Sequence, residues 1–197
     1  MQNIPTATLN TVRRGFKQFN RLMILFWRLG WGPWLNAMPR ASGRIMVLSH
    51  TGRKSGNTYR QPLNYAIVEN ELYCTAGFGA GSDWYKNILV NPRVQVWLPD
   101  GWWDGIAEDI SASPRRAELL RAVLIASGFA AYAAGINPNR ATDAELDALT
   151  QEYRLIHIQR TAPRTGRSGP GDLAWVWQAT TVVLLALLVG TRLQKRR

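Results

Sequence analysis

A basic turn bracketed by glycines is the first feature of this sequence that could do chemistry. Residues 51–60 read TGRKSGNTYR. Glycines permit backbone conformations in which successive N–H groups converge on an anion. Arg53, Lys54 and Arg60 add positive charge, and arginine can bind a phosphate or a carboxylate through two parallel donors. The glycine spacing is not that of a P-loop. The turn alone therefore fits an anion site and a solvated hairpin equally well.

A second glycine-rich segment lies 25 residues further along the chain. Residues 77–81 read GFGAG, and Ser82 or Asp83 then caps a predicted helix that ends at Asn91-Pro92. Three glycines in five residues indicate a close approach of the backbone to a ligand. Because N–H groups at a helix N-terminus favour negative charge, this segment is a second candidate for anion binding.

The charge balance of the whole chain also points to an anionic partner. The 197 residues include 24 Lys and Arg against 13 Asp and Glu, which gives a net charge of +11. A hydrophobic fraction of 46% excludes a disordered chain. Nucleic-acid binding is not expected, because the basic residues cluster at turns instead of alternating with aromatic residues along one strand face. The residues concerned are Arg44, Arg53, Lys54, Arg60 and Arg93.

The cysteine and histidine residues predict neither a disulfide nor a metal site. Cys74 is the single cysteine and lies in an apolar strand-like run, so we expect a buried side chain without a redox role. His50 and His157 are far apart in the sequence, so we do not expect them to share a metal site. The N-terminus does not follow the signal-peptide pattern, so we expect a catalytic domain that faces the cytoplasm.

Hydrophobic periodicity predicts an α+β fold with a mostly β core. Short alternating or apolar runs between turn residues predict about six strands, at 44–50, 61–68, 71–76, 93–98, 102–109 and 154–160. Helices are predicted after Ser82, from Ser113 to about Ser127, and after a capping box formed by Thr142 and Glu145. Because most of the strands follow one another directly, we expect a small antiparallel barrel with peripheral helices.

The two ends of the chain have different compositions from the barrel. Residues 11–35 form an amphipathic, basic and aromatic-rich pattern, typical either of a helix packed on the core or of one lying on anionic lipid. Residues 162–172 read as a linker. Residues 173–193 are largely apolar and span about 31 Å as a helix, which predicts a transmembrane segment with Trp175 and Trp177 at its interface.

The predicted organisation therefore has five parts. An N-terminal helical region covers 1–39, a barrel domain 40–161, a linker 162–172, a transmembrane helix 173–193 and a basic tail 194–197. This arrangement predicts a cell-membrane protein with one C-terminal pass and a cytoplasmic catalytic domain.

Two ordered motifs resemble a known family. Residues 51–56 (TGRKSG) with Pro62-Leu63, followed by residues 82–89 (SDWYKNIL) with Asn91-Pro92, are similar to the deazaflavin (coenzyme F-420)-dependent nitroreductase and quinone reductase family. The resemblance covers about residues 40–160. It implies a split β-barrel, often a homodimer, that transfers a hydride from the reduced deazaflavin to a quinone or nitro-type lipophilic acceptor. Since the coenzyme carries the hydride, no catalytic residue of the chain is expected.

The resemblance also implies roles for particular residues. The turn would hold the phosphate and acidic tail of the coenzyme through Arg53, Lys54, Ser55 and Gly56, helped by Arg60. The ring would be lined by the backbone of Pro62 and Leu63 and by the loop that contains Ala76, Gly77, Phe78, Gly79 and Ser82, and the pocket would be completed by Trp84, Tyr85 and Asn87. Tyr132 is the candidate substrate contact. Gly77 and Phe78 replace a Ser and a Lys of the best-known branch, which favours quinone reduction over nitroimidazole reduction.

Two other functions remain open at the level of sequence. The same fold could hold FMN, or haem or another conjugated ligand without turnover, because a basic phosphate-binding turn does not distinguish these cofactors. Alternatively, the chain could be a non-enzymatic membrane protein whose basic surface binds lipid. A second basic residue in the turn, together with Arg60, favours the longer anionic tail of the deazaflavin coenzyme over FMN.

Overall fold

The fold is a closed antiparallel barrel. The computed structural model describes residues 18–37, 39 and 43–194. Within them, six strands form the barrel in the order β1-β2-β3-β6-β5-β4. Their bounds are β1 Ile45–Thr51, β2 Thr58–Val68, β3 Glu71–Ala76, β4 Arg93–Leu98, β5 Gly101–Asp109 and β6 Arg154–Arg164. The predicted six-stranded antiparallel barrel is confirmed.

Strand alternation divides the barrel into an interior and an outer face. On β1, Met46 and Leu48 belong to the interior cluster, whereas Val47 between them belongs to a separate cluster outside. The same alternation places Trp97 of β4 and Trp102 of β5 on the outer face. Because side chains alternate along a strand, this register decides which site residues can meet the same ligand.

The helices surround this barrel. Residues 18–28 form α1, followed by α2 (Gly32–Leu35), a 3-10 turn (Gly79–Gly81), α3 (Asp83–Val90), α4 (Arg116–Ala126), α5 (Phe129–Ala133), α6 (Asp143–Leu149) and α7 (Ala174–Gln194). α3 contributes Trp84, Tyr85 and Ile88 to the interior cluster. α4 packs on the outside of β2 and β3. The capping box of Thr142 and Glu145 opens α6 as predicted.

The N-terminal helical region is only partly described. Within the predicted helix over 11–35, residues 11–17 lie outside the described residues, as does most of the basic tail. α1 buries Trp27 in a cluster with Val47, Trp97 and Trp102, so this helix packs on the barrel. Phe19, Leu22 and Leu25 of the same helix are exposed. Of the two alternatives for this helix, packing on the core is therefore the one observed in its described part.

The segment predicted as a linker is instead an ordered strap. β6 continues to Arg164, and the chain then crosses the end of α1. The backbone N–H of Gly171 donates to the carbonyl of Trp27 at 2.9 Å, and Asp172 pairs with Arg28 at 2.8 Å. Gly169 lies against the ring of Trp102, where a Cβ would come within 2.6 Å. Glycine is compatible with linkers, but here it permits close packing of the backbone on an indole.

The predicted transmembrane helix is not supported. Residues 174–194 are helical, but among the described residues no helix has the length and apolar character needed to cross a bilayer. The predicted membrane pass, and the membrane partner and cell-membrane location expected from it, therefore have no support in the described residues.

Cys74 provides a direct test of the barrel interior. Its side chain is completely buried between neighbouring interior residues of β3, and burial raises the pKa of the thiol well above its usual range. Because the thiolate is the reactive form, we expect no reaction with a thiol reagent such as dithionitrobenzoate in the folded protein. Addition of guanidinium chloride should release one equivalent. Rapid labelling without denaturant would contradict a closed barrel interior.

Candidate functional site

The basic turn joins β1 to β2 and is held by its own backbone. Gly52 N–H donates to the carbonyl of Asn57 at 2.8 Å, and Gly56 N–H donates to the carbonyl of Gly52 at 2.9 Å. Gly56 has a φ of 69°, in the left-handed region that favours glycine. A Cβ on Gly52 would lie 2.5 Å from the ring of Tyr59. Both glycines are therefore required by the shape of the turn.

Arg53 fastens this turn to α3. Its guanidinium donates to the Asn87 side-chain oxygen at 2.9 Å and pairs with the Asp83 carboxylate at 3.0 Å. The Arg53 backbone N–H donates to the same Asn87 oxygen at 3.1 Å. The hydrogen bond from Arg53 lowers the pKa of Asp83 below its usual range. Arg53, which the resemblance placed among the anion ligands, thus acts as a brace in this structure.

Lys54 and Ser55 form the exposed tip of the turn. Lys54 makes no ion pair with any residue that the structure describes. The Ser55 hydroxyl lies 3.1 Å from the Tyr59 hydroxyl and accepts a hydrogen bond from Asn57 N–H. A rigid turn with an uncommitted ammonium group and two hydroxyl groups can receive an anion without rearranging first.

Asn87 connects the turn to a buried histidine. Asn87 is 5% exposed, and its side-chain amide lies 3.2 Å from Nδ1 of His50. His50 is also 5% exposed and stacks on Tyr59. Burial lowers the pKa of His50, partly opposed by a backbone hydrogen bond at Thr51. His50 is therefore a neutral imidazole that supports the turn from inside the barrel.

This histidine makes the stability of the fold depend on pH. The pKa of His50 is lowered in the folded state, so the unfolded chain binds more protons once the pH falls below about 6.5. The free energy of unfolding should therefore decrease from about pH 7.5 to about pH 5.5. Melting temperatures at the two values test this, and His50→Gln should show a smaller decrease. Equal decreases in the two proteins would contradict the assignment.

Arg60 does not reach the anion site at the tip of the turn. Its position on β2 faces the outer side of the barrel, where the guanidinium lies over the ring of Trp97 at 4.9 Å. It also donates to the carbonyl of Ser168 in the strap at 2.9 Å. The structure therefore separates Arg60 from Lys54, although the two residues are close in sequence.

The residues expected around the ring fall into separate groups. Leu63 packs against the interior cluster that contains Ala76, whereas Pro62 pairs with Val47 and faces outward. Trp84 and Tyr85 are buried in the barrel interior, and the Tyr85 hydroxyl donates to Asp109. Pro62 and Leu63 therefore cannot present their side chains to the same face of a ligand.

The loop before α3 is shaped by close packing against the segment that contains Glu152. Gly79 has a φ of 56°, and a Cβ there would lie 2.3 Å from the carbonyl oxygen of Glu152. The close approach of the Glu152 carbonyl therefore explains the glycine at position 79 without a ligand. Phe78 is 73% exposed, Gly77 is exposed, and Ser82 is the N-cap residue without a side-chain hydrogen bond.

Tyr132, the candidate substrate contact, lies on α5. Its ring is 48% exposed, and its hydroxyl accepts a hydrogen bond from Asn139 at 2.8 Å. Tyr132 takes part in none of the hydrogen bonds described above that hold the basic turn.

Sequence reasoning missed His50 and the role of Asp83. The signal for Asp83 was present, because Asp83 and Asn87 are four residues apart and lie on one face of α3. His50 gave no such signal, since its contact with Asn87 joins residues 37 positions apart.

The chain is thus a closed six-stranded barrel that carries a glycine-bracketed basic turn between β1 and β2. A family model described as F420H(2)-dependent quinone reductase matches residues 34–141. The match covers more than half of the chain, so this chain belongs to that family and is an oxidoreductase. The family supports coenzyme F-420 as the cofactor and gives no support to FMN.

Three solved structures with a similar fold are a hypothetical protein, a reductase and a haem storage protein. A conserved hypothetical protein from Mycobacterium tuberculosis shares 21% identity over 72% of this chain and 83% of its own, with a TM-score of 0.43. An F420-H2 dependent reductase shares 21% over 58% and 92%, with a TM-score of 0.41. The haem storage protein HutZ from Vibrio cholerae shares 11% over 68% and 87%, with a TM-score of 0.40. A comparison with curated proteins gave no match.

Proposed function

We propose that this protein transfers a hydride from reduced coenzyme F-420 to a quinone or nitro-type lipophilic acceptor. The observation that carries the proposal is the basic turn, which Arg53 and Asn87 brace and which leaves Lys54 uncommitted. This turn lies on a barrel whose sequence matches the F420H(2)-dependent quinone reductase family. The catalytic unit is proposed to be the barrel domain of residues 40–161, continued to Arg164 by β6.

The donors at the tip of the turn fit the anionic part of such a coenzyme. Lys54 supplies a full positive charge, and Ser55 and Tyr59 supply hydroxyl groups within 3.1 Å of each other. Gly56 leaves open space where a Cβ would stand, so an anion can approach the backbone there. We propose that Lys54, Ser55 and Gly56 bind the anion directly, and that Arg53 positions them.

The remaining residues have supporting roles in this proposal. When bound, coenzyme F-420 supplies the hydride, so the task of the protein is to orient its partners and to exclude water. Leu63 and Ala76 belong to the interior cluster, and Trp84 and Tyr85 keep that interior closed beneath α3. The exposed rings of Phe78 and Tyr132 are proposed as contacts for a lipophilic acceptor. The predicted homodimer stays a prediction.

Turnover of the purified protein tests this function. Oxidation of the reduced coenzyme, followed by its absorbance, should accelerate with a quinone such as menadione. We expect the rate with a nitroimidazole to be lower. Phe78→Ala should raise KM for the quinone, whereas the control change Trp175→Ala, at a ring of 62% exposure on α7, should leave it unchanged. If the protein binds coenzyme F-420 but reduces neither acceptor, the proposed acceptor class is wrong.

A further inference from the structure

A polar cleft opens on the outer face of the barrel, between β1 and β4. These strands pair only from Val47 to Ser49 on β1 and from Gln95 to Trp97 on β4. Beyond Ser49 they separate and leave a cleft of about 290 Å³. Its walls are formed by Ser49, His50, Thr51, Thr58, Asn91, Arg93, Val94, Gln95 and Asp104. None of the residues proposed to contact the cofactor or the acceptor lines this cleft.

A buried hydroxyl group in the cleft wall has no partner. Ser49 is 4% exposed, and its Oγ forms no hydrogen bond with any described residue. Ser49 pairs across the sheet with Arg60, whose Nε is also buried and without a partner among the described residues. An unsatisfied buried donor costs free energy. Two such donors lie at one cross-strand position, and one of them, Ser49, lines the cleft.

The charges around the cleft favour an anionic ligand. Arg93 lines the cleft, is exposed and makes no ion pair within the described part of the chain. The one carboxylate in the wall, Asp104, is neutralised by Arg164 at 3.1 Å. Thr51 and Thr58 add hydroxyl donors at the entrance. The balance of the cleft is therefore positive and rich in donors.

We propose that this cleft binds a small oxyanion, a phosphate or carboxylate group, through the Ser49 hydroxyl and the Arg93 guanidinium, with Arg60 behind them. Strand alternation puts Ser49, Thr51, Arg93 and Gln95 on one face. The proposed cofactor contact at Lys54 lies on the turn beyond Thr51, so the two anion sites are neighbours but consist of different residues. The oxyanion is either a free ion or an anionic part of the cofactor.

Thermal unfolding with added inorganic phosphate tests the cleft. A ligand that binds only the folded state raises the melting temperature in proportion to the logarithm of its concentration. We expect a rise in wild type that grows with the logarithm of the phosphate concentration and is reduced at least by half in Ser49→Ala and in Arg93→Gln. The control Arg140→Gln removes another exposed arginine outside the cleft and should keep the full rise. Chloride at equal ionic strength corrects for salt screening.

Three results would overturn the proposal. Phosphate also stabilises proteins generally by exclusion from their surface, and such an effect would be equal in all four proteins. Loss of the rise in Lys54→Ala with its retention in Arg93→Gln would place the phosphate at the turn instead. The absence of any rise in wild type would mean that water alone satisfies Ser49. Since Arg93 is exposed and Ser49→Ala removes an unsatisfied group, both variants are expected to fold.

Saturation with coenzyme F-420 identifies the source of the oxyanion. If the cofactor abolishes the phosphate-dependent rise, and Arg93→Gln weakens cofactor binding, the cleft takes an anionic part of the cofactor. If the two ligands raise the melting temperature additively, the cleft takes a free oxyanion. Both results support the proposal that the cleft binds an oxyanion. Failure of cofactor binding, with the phosphate effect intact in wild type, would count against the proposed reductase function alone.

Discussion

Replacing Lys54 by alanine is expected to weaken the binding of coenzyme F-420 at least tenfold. Lys54 is exposed at the tip of the turn and makes no ion pair with other described residues, so its charge is available to the ligand. A charge-assisted hydrogen bond contributes about 1.5–3 kcal/mol, and about 1.4 kcal/mol corresponds to a factor of ten in affinity. Quenching of tryptophan or coenzyme fluorescence on titration measures the dissociation constant.

A matched loss of charge elsewhere controls for general electrostatic attraction. Arg140→Ala removes one positive charge from an exposed position in the loop before α6 and should change the affinity by less than about twofold, because exposed charges beyond the Debye length are screened. The melting temperature of Lys54→Ala should equal that of wild type, since the side chain holds nothing in the folded protein. An unchanged affinity in Lys54→Ala would remove the turn from the cofactor site.

Replacing Asn87 by leucine is expected to lower both stability and cofactor affinity. The buried Asn87 side chain accepts two hydrogen bonds from Arg53 and lies beside Nδ1 of His50. Leucine has a similar volume but removes the acceptor of the Arg53 backbone N–H and the partner of His50 Nδ1, at a cost of about 1–3 kcal/mol for each buried group, while the Arg53 guanidinium keeps its pair with Asp83. Urea unfolding should therefore show a loss of about 2–4 kcal/mol. Because Arg53 then holds the turn to α3 through Asp83 alone, the affinity for the coenzyme should fall as well.

The conservative variant Asn87→Asp separates these two effects. Aspartate keeps an oxygen acceptor for Arg53 but cannot donate to His50. We expect Asn87→Asp to retain most of the cofactor affinity, even where its stability is reduced. If Asn87→Leu were destabilised but bound the coenzyme as tightly as wild type, the brace would have no role in binding.

Local chemistry made much of the barrel predictable from the sequence. The observed bounds of β3 and β4 are those that alternation and the flanking turn residues predicted. Glu69 and Asn70, the two residues between the predicted strands 61–68 and 71–76, both have positive φ, as a two-residue hairpin connection requires. The capping box at Thr142 likewise depends on residues three apart. In each case the determining contacts lie within a few residues of one another.

The functions of the arginines were not predictable, because they depend on register and on distant partners. Arg53 and Arg60 look equivalent in sequence, yet Arg53 donates a hydrogen bond to Asn87 of α3, whereas Arg60 donates one to the Ser168 carbonyl in the strap. The strap itself reads as a linker by composition, since its glycines and proline give no hydrophobic pattern. Its contacts with Trp27 and Arg28 join residues more than 140 positions apart. The apolar pattern of α7 predicted a helix correctly but a membrane span wrongly.

The most direct test of this account is a titration of the purified full chain with oxidised coenzyme F-420, beside an identical titration with FMN. Both ligands are added to wild type, Lys54→Ala and Arg140→Ala, and the dissociation constants are compared. The account predicts saturable binding of coenzyme F-420 that is tighter than that of FMN, weakened at least tenfold in Lys54→Ala only. Tighter binding of FMN, or equal binding of coenzyme F-420 to all three proteins, would contradict it.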